Sequence, residues 1–345
     1  MEKHQCIYCL QKKDKTEFNR EHVVPRMMGT YTEAFVLGKY EVCQECNSYF
    51  SREIESSTNL NSAEGFLRMQ HGAPMSDGRR MRKDRVTFQG TEGLFKGLQF
   101  TPVVDSTNNE NMHLDISPRI GILADPECQE YNYFELDDLP EATPEVTTFL
   151  KGKTNGIITV NISTDEATPI LKSKGYLDFD FKADDVNLSQ LYQQDSLTTN
   201  IHISIDSIVR RLCAKTVFNY LCYSNGKGFV LAERFNTIRE YIRNGKWSDN
   251  LWFRYSKGPV SSVCLPNATA HVVGYMWYPD KDHWSLSGCL TWFGEITYIF
   301  KLCDTELPIK QVNLLPCTKM AIFDNQNRVI SEDEAVYIFS KPSSD

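Results

Sequence analysis

Two C-x-x-C pairs near the start of the chain, Cys6/Cys9 and Cys43/Cys46, constrain the fold more than any other feature. Paired cysteines at this spacing are characteristic metal knuckles, and two pairs supply four thiolates, a common tetrahedral zinc set. Four thiolates leave zinc no open position for water or substrate, so the ion would hold the fold and take no part in a reaction. Any chemistry has to come from other residues. Of the 11 cysteines the rest are isolated, and Cys213, Cys222, Cys289 and Cys303 lie among apolar neighbours, as small buried hydrophobes do. That usage suits a reducing compartment better than a disulfide framework.

The chain has 345 residues, 41% of them hydrophobic, which is enough for a sizeable core in one or two domains. No apolar run reaches the roughly 18 to 20 residues that span a bilayer, and the start "MEKHQCIYC" has no apolar signal core. A cytoplasmic protein without membrane partners is therefore expected. Net charge is −8, unevenly distributed: residues 1–85 hold 14 basic and 12 acidic side chains, and residues 86–345 carry the acidic excess. The segment Asp125–Glu145 has eight acidic residues and no basic one, so it should repel phosphate. The front end, with "RRMRKDR" at Arg79–Arg85, is the better place for a polyanion.

The expected fold class is α+β. Residues 1–75 read as a metal-stapled module, 76–85 as a basic linker, and 86–345 as a larger β-rich α+β domain for substrate recognition or regulation. About 85 residues with one metal staple are enough to fold alone. Short β-type runs fill 86–200, where helical periodicity is scarce. Helices are expected over Ser204–Gly226, with Ile205, Ile208, Val209 and Leu212 on one face, and over Glu233–Gly245. Beyond 260, "HVVGYMWYPD" and "LTWFGEITYIFKLC" look like neighbouring antiparallel strands. Arg210, Arg211 and Lys215 make the long helix the expected basic contributor outside the module.

Between the knuckles lies "NREHVVPRMMG", with Glu21-His22 and Pro25, and the second knuckle runs directly into Asn47. The whole, C-x2-C, E-H-V-V-P-R, C-x2-C-N, resembles the HNH endonuclease family in its zinc-knuckle form, over about residues 4–56. The resemblance implies a ββα-metal module with structural Zn²⁺ on Cys6, Cys9, Cys43 and Cys46. It implies that His22 is the general base, and that Glu21 and Asn47 bind a catalytic Mg²⁺ or Mn²⁺. "EHVVPR" would then lie on or after the first strand, and "ECNSYFSREIE" would form the helix. Two positions differ from the usual family pattern: Glu21 stands where Asp is commoner, and "VLGKYEVC" offers Gly38, Lys39 and Tyr40 where Asn or His is frequent.

The chemistry agrees with these roles on its own terms. An unperturbed histidine suits a base near neutral pH. Carboxylate and amide oxygens suit a hard divalent ion. Arg26 and Arg52 could hold phosphate by bidentate hydrogen bonds. Adjacent residues of a regular strand point to opposite sides, however, so Glu21 and His22 share one site only if the chain bends, and Pro25 fits a strand that ends there. The expectation is a DNA endonuclease acting on double-stranded DNA by a one-metal mechanism, with defence against phage or restriction as the role the resemblance suggests. Residues 86–345 could take a small-molecule or protein activator. The alternative is a zinc-stapled module without catalysis that binds nucleic acid or protein; keeping Glu21, His22 and Asn47 together speaks against it.

Overall fold

The computed structural model describes residues 2–29, 31, 35–56, 62–70, 86–92, 95–104, 112–125, 130–153, 155–176, 199–260, 264–267 and 269–340. The expected linker 76–85 and the basic run Arg79–Arg85 lie outside the described residues. Two compact units emerge, one of residues 1–75 with 205–345 and one of residues 76–204. One break falls at 75/76, and residues 205–345 group with the first 75, whereas 86–345 was expected as one domain. The knuckle module shares its unit with residues 205–345, because the helix and sheet of that part bury the module's apolar side chains.

In the first unit the chain opens with a short hairpin, His4–Gln5 against Lys12–Lys13, which presents the first knuckle. Residues 21–23 pair with 35–37 through Val23 N to Phe35 O (3.0 Å) and Leu37 N to Glu21 O (2.8 Å), with a bridge between His22 and Val36. The second knuckle starts a helix at Gln44–Tyr49 that widens into a π-helical turn over Phe50–Glu55. The two β segments and helix that the resemblance implies are thus present in reduced form.

The long helix spans Ser207–Asn225: Asp206 caps it by accepting from Ile208 N (2.9 Å) and Val209 N (3.0 Å), and Gly226, at φ 81°, ends it. The second expected helix begins as a 3-10 turn at Glu233–Phe235 and continues as Asn236–Asn244, stopped by Gly245 at φ 71°. Six antiparallel strands make the large sheet, in the order Phe253–Lys257, Ile296–Pro308, His283–Trp292, His271–Asp280, Thr318–Asp324, Val329–Ala335. The run "LTWFGEITYIFKLC" is not one strand. It crosses a tight turn at Phe293-Gly294, both with positive φ, so its first three residues lie in His283–Trp292, beside His271–Asp280, and the rest forms the next strand.

The long helix lies on this sheet at Gly288, where a Cβ would meet Val217 Cγ1 at 2.7 Å and Phe300 at 2.9 Å. A hydrophobic core shared by the two parts results. It includes Ile7, Val23, Leu37, Phe50 and Ile54 of the module together with Val217, Phe218, Leu221, Trp292, Tyr298 and Phe323 of the C-terminal part. Cys213, Cys222, Cys289 and Cys303 are buried in this unit as expected.

The second unit holds two small antiparallel sheets. One orders Met112–Asp115, Gln99–Val104, Val86–Gly90, Thr199–Ile203, and the other Glu130–Glu135, Arg119–Asp125, Ile157–Val160. The β-type runs are where composition put them. Two helices, Pro144–Leu150 and Thr164–Ser173, were not expected there. Their signals are at the caps and not in periodicity: Thr143 precedes a proline, and Ser163 with Glu166 forms a capping box.

Candidate active site and metal centre

The first hairpin and the start of the Gln44–Tyr49 helix bring the four knuckle sulfurs within 4.8 Å of one another. Backbone amides of Tyr8 (3.5 Å) and Cys43 (3.4 Å) donate to Cys6 Sγ, as suits a thiolate. Hydrogen bonds within the cluster pull the Cys6 thiol far down and push Cys46 up, because four thiolates cannot crowd together without a cation. Cys6, Cys43 and Cys46 are fully buried. The donor set fits structural zinc, with no ligand place left over for chemistry.

His22 is half-buried. Burial and the neighbouring Arg26 charge hold its pKa below the ordinary 6.5, against the opposing pull of Glu21 and Glu55. Asn47 is set by two hydrogen bonds from its Nδ2, to Asn19 Oδ1 (3.0 Å) and Arg20 O (3.0 Å), which tie the helix to the residues just before Glu21. Its donor is committed to that tie, and the side-chain oxygen has no hydrogen-bond partner among the described residues. That carbonyl oxygen is the hard donor a divalent ion takes.

Glu21 faces the long helix. It is only 4% exposed where His22 is half-exposed, the contrast that alternation along an extended chain produces. Its Oε1 accepts from the Lys215 ammonium and from Asn219 Nδ2 (3.1 Å). Lys215, with no exposed surface, also donates to Glu55 Oε1 at 2.7 Å. Burial alone would neutralise Lys215, but the two carboxylates hold its pKa above the ordinary value, and Lys215 in turn keeps Glu55 ionised despite its burial. Asn219 reaches further, donating to the His22 carbonyl at 3.0 Å, while Tyr8 OH donates to Asn219 Oδ1 at 2.6 Å.

The expected basic face of the long helix is therefore not a polyanion surface. Lys215 is sealed, and Arg211 donates to Ile242 O, to Arg243 O and to Tyr49 OH (2.6 Å). Arg210 lies over the rings of Trp247 and Phe253. The reason is geometric: residues 211, 215 and 219 are spaced by four, so one face of the helix meets the module. Arg26 and Arg52 are exposed, and Arg52 pairs with Glu53 at 2.7 Å.

Reasoning from the sequence missed Asn219, Tyr8 and Glu55, and expected Lys215 on a basic surface instead of between two carboxylates. The available signal was a lysine and an asparagine, four apart, within the largely apolar stretch Leu212–Cys222, where a charge needs a buried partner. Of the aromatics after 274, Tyr275, Trp277, Tyr278 and Trp284 are core residues. Tyr275 and Trp277 also line a cavity of about 320 Å³ with Phe229 and Arg234.

Residues 6–61 match the HNH endonuclease family. No curated protein and no solved structure matches the chain. The matched segment contains all four knuckle cysteines, Glu21, His22 and Asn47, and among the described residues no helix is long and apolar enough to cross a membrane.

Proposed function

We propose that the protein is a metal-dependent endonuclease that hydrolyses phosphodiester bonds in double-stranded DNA, with His22 as general base. The observation that supports this reading is the state of His22: burial and Arg26 favour its neutral imidazole, on a segment tied through Asn19 and Arg20 to Asn47. A neutral imidazole takes a proton from water. Arg26 would bind the phosphate beside it. Asn47 would lend its side-chain oxygen to Mg²⁺ or Mn²⁺, an ion that, when bound, neutralises charge on the phosphoryl and leaving oxygens. Zinc on the four cysteines would serve the fold alone. A role in phage defence or restriction rests on the family resemblance only, and the cavity beside Tyr275 and Trp277 is the place to seek a small-molecule activator.

The second reading, a binding module without catalysis, is favoured by one observation: the acidic residue beside the histidine is committed to Lys215. Incubating the full chain with supercoiled plasmid, linear duplex and RNA, in Mg²⁺ and in Mn²⁺, separates the two. Nicking that disappears in His22→Ala supports the nuclease. Binding without turnover, unchanged in His22→Ala, supports the module.

A further inference from the structure

Lys215 is an ammonium with no exposed surface, placed between two carboxylates of the knuckle module. A fully buried lysine is rare unless paired, since stripping water from a charge is costly. Here the pairing is double. Glu21 comes from the His22 segment and Glu55 from the helical turn that follows Asn47, so one cation joins the two elements that carry the proposed base and the proposed metal ligand.

We propose that Lys215 is a positioning residue of the His22 site. Its ammonium takes the place beside Glu21, so that Glu21 anchors the His22 segment to the long helix and is not a ligand of the divalent ion. The inference rests on the nuclease reading and deepens it. Glu21 Oε1 already accepts two hydrogen bonds, and a hard ion that displaced Lys215 would leave an ammonium buried beside a second cation. Asn219, one helical turn on, completes the grip: a single Nδ2 donates to the Glu21 carboxylate and to the His22 carbonyl, fixing side chain and backbone of consecutive residues. The hydroxyl of Tyr8, from the first knuckle, holds Asn219 in that orientation. His22 is thus fixed from the zinc knuckle, the long helix and its own strand at once.

The test uses the full chain with Glu21→Gln, Lys215→Met and both together. Thermal unfolding and zinc content are read beside cleavage as a function of Mn²⁺ and Mg²⁺. Each single change should lower the melting temperature, and the double variant should lose less than the sum of the two, since Glu21 and Lys215 then give up their charges together while Glu55 alone is left without its cation. Lys215→Met should lower kcat about tenfold or more with KM little changed, as expected when a group is mispositioned. Glu21→Gln should leave the metal concentration for half-maximal cleavage within about twofold of the wild type. A tenfold rise in that concentration with an unchanged melting temperature would make Glu21 a metal ligand and overturn the proposal, as would wild-type kcat in Lys215→Met. Should the wild-type chain cut nothing, the nuclease reading fails by itself. The unfolding cycle then still decides the anchor: a loss in the double variant smaller than the sum supports it and strictly additive losses overturn it.

Discussion

Lys215 and Glu21, 194 residues apart in the chain, form an ion pair with 0% and 5% of their side chains exposed. Such a pair makes the knuckle module depend on the far end of the sequence. Breaking a buried pair by removing one partner leaves an uncompensated charge, which costs about 3–5 kcal/mol. A fragment of residues 1–85 removes Lys215 and Asn219 and exposes Ile7, Val23, Phe50 and Ile54 as well. Although a metal staple suffices for many modules of this length, this fragment should not unfold cooperatively even with zinc. Circular dichroism melts of the zinc-loaded fragment test this, and a sharp transition near that of the full chain would refute the shared core.

Cys6→Ser and Cys46→Ser should lose the bound zinc and destabilise more than the knuckles. Binding energy at a four-cysteine site is folding energy, on the order of 10 kcal/mol. Because the knuckle side chains belong to the same core as the long helix and the large sheet, the loss should spread through residues 205–345. Elemental analysis should give one zinc per wild-type chain and none in either variant. Hydrogen exchange should show faster exchange in the Ser207–Asn225 helix.

His22→Ala should lower cleavage by a factor of about 10²–10⁴ while zinc content and circular dichroism stay unchanged, since a base is lost and no structural ligand. The pH dependence follows from the direction of the His22 shift. A base must be neutral, and a pKa below 6.5 keeps it neutral to lower pH, so the acid limb of kcat/KM should fall below pH 6.5. Arg26→Gln removes one of the causes of the lowering and should move that limb upward. An acid limb unaffected by Arg26→Gln would separate the two residues.

Arg211→Ala should affect stability and leave DNA binding nearly alone. Its guanidinium bonds two carbonyls and the Tyr49 hydroxyl, and loss of charged hydrogen bonds of this kind costs roughly 1.5–3 kcal/mol each before relaxation. The slope of DNA affinity against salt should match that of the wild type, because the group neutralises no phosphate. Chemical denaturation and a salt series measure the two effects separately.

Gly288→Ala should destabilise the unit by about 1–3 kcal/mol through overpacking. The added methyl would stand 2.7 Å from Val217 Cγ1 and 2.9 Å from the Phe300 ring, where the long helix meets the sheet. Denaturation midpoints of the two proteins decide it.

What the sequence determined by itself was whatever is written in short spacings. Two knuckles, the E-H-V-V-P-R segment between them and the Asn47 that follows identify the module, because metal ligands of one knuckle lie within a turn of each other and need no distant partner. The long helix was legible from its apolar period and caps, and the strands from β-branched and aromatic runs. Only the tertiary structure decided which way Glu21 faces and which lysine meets it. Alternation along the strand stated the choice, to share a site with His22 or to turn inward, but the answer depends on a helix nearly 200 residues away. The same holds for the grouping of residues 205–345 with the module and for Arg211. A side chain's charge is local, whereas the partner that buries it, or the solvent that leaves it free, is set by which surfaces the whole chain brings together.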